Sequence, residues 1–225
     1  MKLVLIGERR TGKTQLLNLF RKRKFSDSYT PTEEISIDNI LWDYKSGDQI
    51  KLEIWDVVDK AKNSLKKNDN LKLASSPVTT KSGSFKVEGL SLDSSVVDIW
   101  KGTHASILMI DPVKKWTFEY AISTIDKVPD NIPLLIIANF KDLQNYWIVP
   151  LVEIQEAFRE RKNVYVIEAS MQNGFGMKSV YNFLNIPFLK QQKKQLLDQL
   201  KQNEEDLNIA EQELLLITKK QDYNV

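Results

Sequence analysis

Gly7, Gly12, Lys13 and Thr14 have the spacing in this chain that most directly implies chemistry. Four residues separate the two glycines, Lys13 and Thr14 follow at once, and the run fits G-x-x-x-x-G-K-[ST]. A loop of this form turns successive backbone N–H groups toward an anion, so it suits the α- and β-phosphates of a nucleotide. Gly12 lets the backbone come close. Lys13 supplies a point charge for the β- and γ-phosphates, Thr14 supplies a hydroxyl for Mg²⁺, and the following helix aims its positive N-terminus at the anion. The expected nucleotide contacts of this loop are Gly7, Arg10, Thr11, Gly12, Lys13, Thr14 and Gln15. A glycine turn without a ligand is the alternative. The flanks favour the binding loop, because residues 3–6 are strand-like and residues 15–20 have helical spacing.

The rest of the chain supplies the elements that would hold such a loop. Residues 35–44 and 50–56 have strand composition around the turn-forming Lys45-Ser46-Gly47-Asp48, which predicts an antiparallel hairpin. Residues 60–95 shift to Lys, Ser, Asn and Thr and bury too little apolar surface to offset their ordering entropy, so they read as a mobile insertion. A short helix is expected over 96–100 and a buried strand over 105–111. Helices over 116–127, 152–161 and 176–184 then alternate with strands over 133–139 and 164–168. That alternation predicts an α/β fold: a mostly parallel sheet with helices on both faces and ligands beyond the carboxyl ends of its strands.

Composition narrows the classes further. With 225 residues the chain can bury one sizeable core plus an appendage. Its 32 Lys+Arg against 30 Asp+Glu leave a net charge of +2, too balanced to argue for nucleic acid or an anionic membrane as partner. Without cysteine there are no disulfides, no thiol chemistry and no prenylated Cys, and an intracellular address fits. No apolar run approaches the roughly 20 residues of a membrane span, and no signal-peptide pattern opens the chain.

Four further stretches resemble the motifs of guanine-nucleotide-binding domains, in the order those domains have them. Tyr29-Thr30-Pro31-Thr32-Glu33 resembles the switch I loop of Ras and Rab proteins, which implies that Thr32 ligates Mg²⁺ and senses the γ-phosphate. Ile54-Trp55-Asp56 ends a strand on a carboxylate that can hold a metal-bound water, so Asp56 joins Thr14 and Thr32 as expected metal ligands. Asn139-Phe140-Lys141-Asp142 resembles the base-reading N-K-x-D motif, which implicates Asn139, Lys141 and Asp142. A carboxylate there accepts guanine N1–H and the N2 amino group together, and adenine offers no such pair. Glu168-Ala169-Ser170-Met171-Gln172 resembles the S-A-K loop, implying that backbone N–H groups at Ser170 and Met171 approach the guanine oxygen.

Together these motifs look like a Ras-superfamily G domain, a P-loop NTPase fold with a six-stranded sheet, over residues 1–187. Within that superfamily the chain resembles the Rab-like protein six subfamily, also called Parf or RBEL-type GTPases. The residues that carry this are Arg9-Arg10-Thr11-Gly12-Lys13-Thr14, Pro31-Thr32-Glu33-Glu34-Ile35, Ile54 through Lys60 and Asn139-Phe140-Lys141-Asp142. The resemblance implies GTP or GDP with Mg²⁺ as ligands, protein effectors or regulators as partners, and a cytoplasmic or nuclear place without a lipid anchor.

Departures from the superfamily pattern bear on catalysis. Where Ras and Rab proteins carry D-x-x-G-Q, this chain has Asp56-Val57-Val58-Asp59-Lys60. Asp59 thus takes the place of the glycine that reads the γ-phosphate, and Lys60 that of the glutamine that orients the attacking water. A carboxylate repels the γ-phosphate, and an ammonium cannot both donate to and accept from a water. Arg9 replaces a small P-loop residue and either acts as an arginine finger in cis or obstructs the site. Arg9, Asp59 and Lys60 therefore occupy the usual catalytic positions with unsuitable chemistry, and slow hydrolysis is expected. Phe140 replaces a lysine whose stem covers the base and offers stacking instead, and Gln172 replaces the S-A-K lysine. The expected function is a guanine-nucleotide switch with weak or absent hydrolysis; the alternative is a pseudo-GTPase scaffold that binds proteins through its surface and its C-terminal helix.

Residues 188–225 form the expected C-terminal segment. A polar helix over 187–220, with Asn185 as N-cap and Pro187 in its first turn, carries Leu189, Leu196, Leu200, Leu207, Ala210, Leu214 and Ile217 at heptad spacing, interrupted by Lys193 and Asn203. It packs on the domain, zips with a second copy in a helix-mediated dimer, or binds a partner's helix. Lone His104 has no ligating neighbours in sequence and enters no site.

Overall fold

Gly7 ends a strand whose neighbours on either side belong to different halves of one sheet. The computed structural model describes residues 1–25, 35–44, 49–57 and 98–222, with side chains through residue 216. In chain order the elements are β1 (Lys2–Gly7), α1 (Lys13–Phe20), β2 (Ser36–Asp43), β3 (Gln49–Asp56), β4 (Ala105–Ile110), α2 (Lys115–Ile125), β5 (Leu134–Ala138), α3 (Leu151–Ala157), β6 (Val164–Glu168) and α4 (Met177–Asp222). The strands lie in the order β2-β3-β1-β4-β5-β6. Among the described strands the β2–β3 pair is antiparallel, as the hairpin composition requires. The other four pairings are parallel. The chain forms the six-stranded, mostly parallel sheet of a P-loop NTPase.

Burial explains the order. β1, β4 and β5 occupy the middle and, Lys2 and the buried Ser106 apart, are built of apolar residues and glycine, with both faces covered. One face meets α2 and α3: Val4, Leu108, Ile110, Leu134 and Ile136 pack with Phe118, Ala121, Ile154 and Phe158. On the other face Phe20 of α1 meets Tyr181 of α4 edge to face at 5.8 Å, and Phe183 of α4 meets Tyr165 of β6 at 5.8 Å. The hairpin strands sit at the edge, where inward residues such as Leu52 and Ile54 alternate with more exposed ones.

Two expectations are corrected. Residues 98–102 form a turn and not a helix. The Asp98 carboxylate accepts the Trp100 N–H at 3.1 Å, and Gly102 adopts φ 69°, so local side-chain bonding and a left-handed glycine end the segment. The two C-terminal helices expected at 176–184 and 187–220 are one helix, Met177–Asp222, with Pro187 inside it. Proline removes only the rung its own N–H would make to the carbonyl four residues back, and the ladder resumes on either side, so Asn185 is not an N-cap. By internal contacts the chain divides into Met1–Asn185 and Ile186–Val225. The insertion expected over 60–95, the loop 29–33 and the turn 45–48 fall outside the described residues. No described helix is long and apolar enough to cross a membrane.

Candidate nucleotide site

The loop after β1 is folded by three unusual backbone conformations. Gly7 has φ 141°, Arg10 φ 61° and Gly12 φ 102°. At Gly7 a Cβ would stand 2.6 Å from the Met109 carbonyl oxygen, and at Gly12 it would stand 2.4 Å from the Asn139 amide nitrogen. Both glycines are required by close approach as well as by φ. Thr11 donates its hydroxyl to the Glu8 carbonyl at 2.8 Å, and Lys13 Nζ reaches the carbonyls of Gly7 at 2.6 Å and Glu8 at 3.0 Å. The ammonium is thus held over the loop that α1 closes, with the Leu16 N–H bonded to the Gly12 carbonyl at 2.9 Å.

Asp56 ends β3 next to β1, in register with Leu5, and is 1% exposed. Its Oδ2 accepts the Thr14 hydroxyl at 3.2 Å, and its Oδ1 has no hydrogen-bond partner among the described residues. Burial pushes the Asp56 carboxyl above the ordinary aspartate range, against the opposing pull of the Lys13 ammonium and the Thr14 hydroxyl. A buried carboxylate oxygen without a donor, beside a threonine hydroxyl and a lysine, has the donor chemistry for a hard divalent cation. The residues present therefore fit Mg²⁺.

The second part of the site follows β5 and β6. Asn139 is 1% exposed; its Nδ2 donates to the Thr11 carbonyl at 2.9 Å and its Oδ1 accepts the Met171 N–H at 3.1 Å. One side chain thereby ties the β1 loop to the loops after β5 and β6. Phe140 adopts φ 60°, and its carbonyl accepts the Trp147 indole N–H at 2.9 Å, which fixes the entry to a 3₁₀ turn over Lys141–Tyr146. That turn lifts Asp142 into solvent, while the buried Ser170 donates its hydroxyl to Asp142 Oδ1. Each carboxylate oxygen keeps lone pairs for further donors. Lys141 pairs with Glu168 at 2.6 Å and lies 5.7 Å from the Trp147 ring centre.

The sequence that builds this site has counterparts among known proteins. A family model described as the Ras of Complex, Roc, domain of DAPkinase matches residues 2–67. Rab-like protein 6 of Bos taurus is 35% identical over 231 residues, an alignment taking in 100% of this chain and 32% of that protein. The Homo sapiens Rab-like protein 6 is also 35% identical over 231 residues, covering 100% of this chain and 31% of its own length. The chain carries a Ras-like G domain and resembles Rab-like protein 6. Ras-related protein Rab-7a of Dictyostelium discoideum is more distant, 20% identical over 190 residues that make up 80% of this chain and 78% of that protein. The chain spans about a third of the length of the Rab-like protein 6 relatives.

Within this G domain the expected residues fall into three groups. Gly7, Arg10, Thr11, Gly12, Lys13, Thr14 and Gln15 lie in or just after the β1 loop, and Asp56 meets Thr14 there. Asn139, Lys141, Asp142, Ser170 and Met171 gather at the ends of β5 and β6, joined to the loop by the Asn139 amide. Thr32, Asp59 and Lys60 lie outside the described residues. Arg9 is exposed, and its N–H donates to the Glu8 carboxylate at 3.0 Å. Sequence reasoning missed three supports: Glu168 as the partner of Lys141, Trp147 as the clasp on Phe140, and Lys114, whose Nζ lies 5.8 Å from the Phe140 ring centre while pairing with Asp111 at 2.5 Å. Trp147 carried a signal, since its indole needs a polar partner, but the partner's identity depends on the turn between.

Proposed function

We propose that this G domain binds GTP and GDP with Mg²⁺ and acts as a conformational switch with weak or absent intrinsic hydrolysis. The observation that carries the reading is the double hydrogen bond of Asn139 to Thr11 and Met171, which joins a phosphate-type loop to a loop pair bearing an exposed carboxylate at Asp142. The backbone N–H groups of the β1 loop and Lys13 would take the phosphates, and Asp142 would accept the two guanine donors. A guanine carboxylate partner left unpaired by adenine disfavours ATP. Thr14, Asp56 and Thr32 would hold Mg²⁺, which when bound neutralises charge on the β- and γ-phosphates. The loop Tyr29–Glu33 and the stretch from Asp56 to about Ser95 would then respond to the γ-phosphate and present a surface to protein effectors or regulators, in the cytoplasm or nucleus.

Isothermal titration of the chain with GTP, GDP and ATP in Mg²⁺ tests this. Saturable binding of both guanine nucleotides, with ATP weaker by at least about a hundredfold, is the expected result. Equal binding of ATP, or no binding at micromolar protein, removes the reading.

A scaffold that holds protein partners without nucleotide turnover is the second reading. Asp59 and Lys60 in the usual water-positioning places favour it. Loss of partner capture in Lys13→Ala, with the fold intact by circular dichroism, would favour the switch.

A further inference from the structure

The unit Ile186–Val225 carries an apolar seam that the nucleotide site does not use. Leu189, Lys193, Leu196, Leu200, Asn203, Leu207, Ala210 and Leu214 follow one another in α4 at alternating steps of four and three, the spacing of a two-helix seam. Its five leucines are exposed, by 45% at Leu189 and 62% at Leu214. A run of exposed leucines in this register calls for an opposing helix.

We propose that the opposing helix is α4 of a second copy of this chain, and that the two run antiparallel, with Leu189 against the partner's Leu214. Charge decides both the occupant and the direction. Lys190, Lys193, Lys194 and Lys201 outweigh the single acid Asp198 and make the first part of the seam segment basic, and Glu204, Glu205, Asp206, Glu211 and Glu213 make the second part acidic. An antiparallel pair sets each basic stretch along the other copy's acidic stretch. In that register Leu196 faces the partner's Leu207, and Leu200 faces the partner's Asn203. Lys193 faces the partner's Ala210, where the small side chain leaves the long lysine a way out to solvent. Lys190 falls beside the partner's Glu211, and the twofold axis repeats each contact.

A parallel pair meets the opposite situation. Lys193 would stack on its own copy at the seam, and Asp206 would lie beside the partner's Glu211, both like-charge contacts. The amide pair gained at Asn203 does not offset two stacked ammonium groups and two acidic pairs. Charge segregation along one helix thus selects a reversed second copy.

Because the chain has no cysteine, engineered thiols report the register directly. Equal amounts of Leu189→Cys and Leu214→Cys chains, mixed and mildly oxidised, should give the mixed disulfide dimer. Leu189→Cys alone should not cross-link, because antiparallel helices hold its two copies about 37 Å apart, 25 residues at 1.5 Å each. Sedimentation of the full chain should show a dimer at tens of micromolar. Lys190→Glu should weaken that dimer by about tenfold, and Glu211→Lys in the same chain should restore it. These exposed charge changes leave the fold intact. A monomer at every concentration, or self-cross-linking of Leu189→Cys, overturns the proposal and assigns the seam to a foreign helix or to a parallel pair. Both readouts are independent of nucleotide, so they fail or succeed apart from the switch reading.

Discussion

The Asn139 side chain donates to the Thr11 carbonyl at 2.9 Å across 128 positions of sequence, and Gly12 is the residue that makes room for it. An added Cβ at Gly12 would sit 2.4 Å from the donating nitrogen. Gly12→Ala therefore faces both a positive φ and a clash with a buried amide, and should cost about 2 kcal/mol of stability. Asn139→Ala should cost about 1–3 kcal/mol by leaving the Thr11 carbonyl and the Met171 N–H without partners. Because one substitution relieves the clash made by the other, the double variant should lose less than the sum. Urea titrations of the four proteins give the coupling, and strict additivity would contradict the contact.

Asn139→Ala should also weaken nucleotide binding as a whole. The amide joins Thr11 of the β1 loop to Met171 after β6, so it sets the distance between the loops on which both ends of the nucleotide depend. Affinity for GDP and for GTP should fall together, by roughly 10- to 100-fold, as expected when a positioning group is lost. A titration in which only one of the two nucleotides loses affinity would show that the amide acts locally.

Buried Asp56, as a carboxylate, weighs on stability at neutral pH. Its carboxyl is raised by burial, so the native chain holds that proton more tightly than the unfolded chain does. The contribution is therefore most favourable below the unfolded aspartate value and is lost as pH rises through the raised folded value. At neutral pH without divalent cation, the ionised group with its partnerless Oδ1 is a burden. Asp56→Asn should raise the thermal midpoint in chelator by a few degrees, about 1 kcal/mol, and flatten the decline of stability between acid and neutral pH relative to the parent. The same variant should lose most of the Mg²⁺ dependence of nucleotide binding. Thermal unfolding at several pH values with and without Mg²⁺ checks both arms.

Much of this was legible in residue order because the signals were local. The β1 loop announces itself through Gly7, Gly12, Lys13 and Thr14, and the central strands through apolar runs that only a doubly covered sheet can bury. Strand β6 falls at 164–168, as its composition predicts. What escaped was long-range or finely balanced. Whether Pro187 starts a helix or sits inside one depends on the continuity of bonding on both sides, which one proline does not decide. The Lys141–Glu168 pair joins the turn after β5 to the end of β6, and no spacing rule connects residues 27 positions apart. The turn at 98–102 rests on one Asx bond and one glycine, too small a signal to outweigh helical composition.

Asp142 gives the test of base reading. Its carboxylate is exposed and held by the Ser170 hydroxyl, so it is oriented without being consumed. Asp142→Ala should lower affinity for GTP and GDP by about a hundredfold or more while leaving weak ATP binding unchanged, because only guanine presents the two donors. Ser170→Ala should lower it less, by a few fold, since the carboxylate remains but is free to turn. Equal losses for ATP and GTP in Asp142→Ala would mean that the carboxylate supports the loop and does not read the base.

Hydrolysis is the last arm, and it rests on Asp59 and Lys60. A Ras-type domain turns over unassisted at roughly 10⁻⁴ per second with glycine and glutamine at these two places. Here a carboxylate would face the γ-phosphate, and an ammonium that cannot accept a proton would face the water, so single-turnover phosphate release should be no faster than about 10⁻⁴ per second. Asp59→Gly with Lys60→Gln restores the backbone approach and the amide that both donates and accepts, and should speed release by at least about tenfold. Arg9→Gly in that background separates its two readings: faster release means Arg9 obstructs, whereas slower release means its guanidinium stabilises transition-state charge. If the parent chain already releases phosphate at about 10⁻² per second, a group other than these two orients the water, and the poor-hydrolysis reading is withdrawn.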